Sequence, residues 1–63
     1  MLVGSLVSGT MNHPDDYRKT SVDVKGIVIR QSGSQCRVHL LYLDGKPVDR
    51  AVFMHASHLH ILS

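Results

Sequence analysis

The chain has 63 residues, and its seven Lys and Arg stand against five Asp and no Glu, for a formal charge of +2. A chain this short buries only about 60% of its unfolded surface, so it is read as a single domain over residues 1–63 with room for one small core. Cys36 is the only cysteine, which excludes an internal disulfide framework and fits a reducing, cytoplasmic setting.

The start at residues 1–3 is too short for a signal peptide, and no stretch approaches the roughly 20 apolar residues of a membrane span. Residues 2–7 read as a short apolar strand ended by Ser8-Gly9. Residues 10–20, with His13-Pro14, Asp15-Asp16 and Arg18-Lys19, show no helical or strand period and are expected to form a long polar loop.

From Ser21 onward β-branched residues alternate with polar ones, which predicts strands. Gly26 divides this run, since Val22 and Val24 alternate with Asp23 and Lys25, whereas Ile27, Val28 and Ile29 are apolar on both sides. A glycine so placed marks a bulge or sharp bend. A three-residue Ser32-Gly33-Ser34 turn would pair Val28 with Val38. That register puts Val22, Val24, Val28, Cys36, Val38, Leu40 and Tyr42 on the core face, with Ile27, Ile29, Arg37, His39 and Leu41 opposite.

Asp44-Gly45 is a hairpin signal, and Pro47 is expected to bar the ladder, so the fourth strand spans residues 49–55. Either Val52 and Met54 or Ala51 and Phe53 would join the outer face, according to register. A single tight turn over residues 55–57 and a last strand over residues 58–62 complete the chain.

The order strand, long loop, three-strand meander, one-turn helix and short strand resembles the SH3-like barrels. Val24-Lys25-Gly26-Ile27-Val28, followed by Cys36-Arg37-Val38-His39-Leu40, is similar to the KOW and Tudor-like subset of them. The resemblance covers about half of the chain. It implies an all-β, five-stranded SH3-like barrel with a long loop between its first two strands and a one-turn helix before its last. Such barrels bind nucleic acid or peptides or play structural roles, so the resemblance speaks to fold.

Three groups of residues carry candidate chemistry. Ile27, Ile29, Leu41 and Met54 would form an apolar outer patch, and contiguous apolar patches mark interaction sites, so protein contact or self-association is the first reading. Tyr17, Arg18, Lys19, Lys25, Arg30 and Arg37 would make a cationic surface for RNA or DNA, the second reading. Tyr42 and Phe53, assigned to the core, leave that surface short of stacking rings. His55, His58 and His60 have a spacing that could bring imidazoles to a shared metal, although a solvated strand face also explains them. The chain offers no converging acid–base or nucleophile set and little room for an enclosed pocket. A non-catalytic binding protein without cofactor or small-molecule substrate is therefore expected.

Overall fold

The computed structural model describes residues 3–18 and 20–63, leaving Leu2 and Lys19, both used above, outside the described residues. Five strands form one antiparallel sheet: β1 (Leu6–Met11), β2 (Val22–Ser32), β3 (Gln35–Leu43), β4 (Lys46–His55) and β5 (Leu59–Ile61). A 3₁₀ turn (Ala56–His58) separates β4 from β5, and the sheet order is β4-β3-β2-β1-β5. No helix among the described residues is long and apolar enough to cross a membrane.

That order forces the sheet to curl. β4 and β5 are opposite edges, four strand spacings or about 19 Å apart in a flat sheet, yet His55 and Leu59 are joined by four residue steps that reach at most about 14 Å. The 3₁₀ turn bridges the gap: the Ala56 N–H donates to the Ser34 carbonyl at 2.8 Å, while the His58 carbonyl lies over Gly9 of β1. His55 caps this turn, its Nδ1 accepting from the Ser57 N–H at 3.1 Å. Val7, Val24, Val28, Val38, Leu40, Met54 and Leu59, drawn from all five strands, thereby share one core. Among the described residues no ladder joins β4 to β5, so hydrogen bonding leaves the sheet open.

The first strand lies later than its apolar residues suggested. Ser8-Gly9 does not end it; Gly9 pairs with Val24 on one side and Leu59 on the other. A Cβ at this position would meet the His58 carbonyl oxygen at 2.4 Å, so glycine serves close backbone approach rather than a turn. The polar loop accordingly runs over residues 12–21.

Val28 does pair with Val38, but by another route. The turn has two residues, since Ser32 pairs with Gln35, and the register then shifts between Val28 and Arg30 so that Ile29 is the extra residue. A second shift sets Lys25 opposite Tyr42 and Gly26 opposite Leu40, leaving Leu41 extra. Because one inserted residue reverses the side-chain alternation beyond it, Leu43 enters the core and Tyr42 turns out to 47% exposure. This register predicts that Leu43→Ala costs about 2–5 kcal/mol and Tyr42→Ala about 1 kcal/mol or less in urea denaturation. The reverse ranking would restore the unbulged register.

Asp44 and Gly45, with φ of 54° and 78°, make the two-residue turn in which both central residues are left-handed. Pro47 does not stop the ladder: it lies within β4 opposite Tyr42. β4 is an edge strand, where a missing N–H is tolerated.

Candidate functional site

β4 decides which residues face solvent. Val38 pairs with Val52 and Cys36 with Met54, so Val52 and Met54 point toward the core and Met54 is buried. Met54 is thus removed from the expected outer patch, and its neighbour Phe53 takes the outside position, 71% exposed. Ile27 and Leu41 are half-buried. Ile29, pushed out by its bulge, is 44% exposed.

The assignment of Tyr42 and Phe53 to the core is corrected by the same geometry. None of the three aromatic residues lies in the core; Tyr17, on the loop, is 92% exposed. Two aromatic rings therefore share the outer side of β2, β3 and β4 with basic residues. In one cross-strand row Arg30 faces Arg37, which faces Phe53; in another Lys25 faces Tyr42. The Arg37 guanidinium carbon sits 5.3 Å from the Phe53 ring centroid, within range for cation–π attraction.

The balance of charge in this region is uneven. Asp15 accepts from Arg50 Nη1 at 2.8 Å, Asp49 lies 2.7 Å from His39 Nε2, and Asp16 lies 3.7 Å from Arg18 Nε. No carboxylate among the described residues forms an ion pair with Lys25, Arg30 or Arg37. Arg30 and Arg37 are nevertheless direct cross-strand neighbours with Cα atoms about 5 Å apart, an arrangement of like charges that costs stability. Together with Ser32, Gln35 and Phe53 they line a shallow cleft of about 270 Å³. An anion with a flat apolar portion would satisfy both halves of that cleft.

The remaining sequence candidates are not gathered here. Tyr17 lines a separate hollow with Asn12, His13 and Thr20, and Arg18 stays on the same loop beside Asp16. Lys19 is outside the described residues. Neither a family model, a curated protein nor a solved structure matches the chain.

The histidines do not converge. The spacing of His58 and His60 would put them on one strand face, but His58 is the last residue of the 3₁₀ turn and His60 lies in β5 opposite Ser8. The His55 and His58 rings meet edge-on at 6.2 Å between centroids, and His55 Nδ1 is engaged by Ser57. Among the described residues no three His, Cys, Asp or Glu side chains are grouped to hold a metal ion.

Phe53 is the residue that the sequence reading missed. The signal was present as the choice between Val52 with Met54 and Ala51 with Phe53. Both pairs are apolar, so alternation alone could not select between them.

Proposed function

We propose that the chain is a small, non-catalytic, SH3-like barrel that binds nucleic acid through the outer side of β2, β3 and β4. The barrel reading is supported by the sheet order, the long loop before β2, the 3₁₀ turn before β5 and the curl that this turn demands. It is also in keeping with the KOW-like stretch around Gly26. The buried thiol of Cys36 suits a protein working in a reducing, cytoplasmic setting.

One observation carries the functional reading: Arg30 and Arg37 are adjacent, without carboxylate partners among the described residues, beside an exposed ring. Like charges held together without a counterion are explained by a partner that supplies one. Phosphate contacts come from Arg and Lys, and base stacking comes from aromatic rings. Lys25 with Tyr42 repeats the combination farther along β3.

The test is fluorescence anisotropy with a mixed-sequence oligonucleotide over a range of salt. With three phosphate contacts, the slope of log K against log salt should be roughly −2 to −3. Absence of binding at low salt would remove the reading.

Protein contact is the second reading, favoured by Ile29, which the bulge holds outward near Phe53's side of the sheet. Concentration-dependent assembly in sedimentation, without oligonucleotide binding, would favour it instead.

A further inference from the structure

We infer that the outer face takes an unpaired strand in preference to a duplex, lying along β3 between Phe53 and Tyr42; this rests on the nucleic-acid reading above. Three features of the face lead there.

Phe53 is the most exposed ring on the sheet, at 71%. A ring gains most from a base whose flat face is free, and in a duplex those faces are taken up by neighbouring base pairs. Base–aromatic stacking is accordingly a feature of single-strand binders and tolerates many sequences. Arg37, over the same ring, adds a cation within reach of the phosphate that accompanies a stacked base.

The second feature is the density of charge. From Arg37 to Tyr42 is five residue steps, about 16 Å of strand. That length of duplex carries about nine phosphate charges, at one per ~1.7 Å, whereas one stacked strand carries about five. Lys25, Arg30 and Arg37 are three cations; Asp23 lies two residues from Lys25 on β2, and Asp49, 2.7 Å from His39, lies beside the middle of the track. The three cations match at most three of one strand's five charges, before the carboxylates are counted, and fall much further short of the nine of a duplex.

The third is the shape of the reading surface. A major groove admits an α-helix or a two-stranded ribbon; the sole helical element among the described residues is the three-residue 3₁₀ turn, and β2 and β3, which carry the cations, are flanked by β1 and β4 rather than forming a free ribbon. The rings and cations instead sit on the outer surface of a curled sheet. A flexible strand can follow such a surface, with Phe53 and Tyr42 as its two stacking points. The contacted length is then at most about five nucleotides at the ~3.4 Å spacing of a stacked strand, and fewer as the strand extends.

The full chain is titrated at low salt with a labelled mixed-sequence single strand and with the same sequence closed as a hairpin duplex, for wild type and Phe53→Ala. The single strand should bind at least about ten-fold tighter than the duplex. Phe53→Ala should weaken single-strand binding about ten-fold while lowering the melting temperature by no more than about 8 °C, the worth of its exposed cation–π contact with Arg37. Equal or tighter duplex binding, or a Phe53→Ala protein that keeps its single-strand affinity, overturns this inference while leaving nucleic-acid binding standing. Failure to bind either probe overturns both.

Discussion

Replacing Gly26 with alanine should lower the melting temperature by about 10–20 °C, although Gly→Ala is the substitution that most often stabilises a chain through its unfolded state. That ordinary gain is about 0.4–1 kcal/mol. At Gly26 an added Cβ would lie 2.4 Å from the His39 carbonyl oxygen, 2.8 Å from Val38 Cγ1 and 3.1 Å from the His39 carbonyl carbon. Two of the three contacts are backbone atoms of the neighbouring strand, which cannot rotate away as a side chain could. Relief would require β2 and β3 to separate where their register shifts, between Lys25 and Gly26. Overpacking of this kind costs about 1–3 kcal/mol or more, which outweighs the entropy gain. For a domain of this size, each kcal/mol is worth about 4–8 °C, and total stability is roughly 3–9 kcal/mol at 0.05–0.15 kcal/mol per residue. The single methyl group thus consumes much of what holds the fold. Far-UV circular dichroism melts of the two proteins decide the matter; a variant melting within a couple of degrees of wild type would mean that the strands open more freely at Gly26 than their spacing allows.

The same position shows how much of the fold was legible beforehand. Gly26 announced a bulge or bend because it interrupts a β-branched run, and the register does shift beside it, although the extra residue is Leu41 of the neighbouring strand; the inward alternation of Val22, Val24 and Val28 was readable from period two alone. The Asp44-Gly45 turn was equally plain, because few dipeptides accept two left-handed residues. What alternation could not reveal is where the ladder skips a residue. Continued without interruption from the Asp44-Gly45 turn, the pairing of Leu43 with Lys46 would set Val38 opposite Ala51 and Cys36 opposite Phe53. The irregularity between Leu40 and Tyr42 moves the partners to Val52 and Met54. Nothing in the residues themselves opposes either choice, since each pair is apolar, and the core accepts the one that the curl requires. The cost of this ambiguity was functional. It placed Met54 on the outside and Phe53 on the inside, and so concealed the ring that stands beside Arg37. The histidine spacing misled for a related reason: treating His58 as a strand residue overlooked the turn needed to carry the chain from one sheet edge to the other.

Arg30→Glu should stabilise the fold while weakening nucleic-acid binding by ten-fold or more, and the opposite signs make this the sharpest test of the proposed site. Arg30 and Arg37 are cross-strand partners without a carboxylate among the described residues, so the substitution turns a repulsive pair into an attractive one. Such a pair is worth about 0.2–1 kcal/mol, a gain of about 1–8 °C in melting temperature. Binding responds in the other direction, because a phosphate contact is lost, a negative charge is set in its place, and Arg37 is drawn toward the new carboxylate. The salt dependence should fall by the contribution of one to two phosphates, about 0.7–0.9 each. Arg30→Glu combined with Arg37→Glu should return the fold to repulsion, now between carboxylates, and abolish binding. A residue whose role were only to hold the sheet together would lose stability and binding in parallel. If Arg30→Glu lowers the melting temperature together with affinity, or leaves affinity untouched, the Arg30–Arg37 pair is not where phosphate binds.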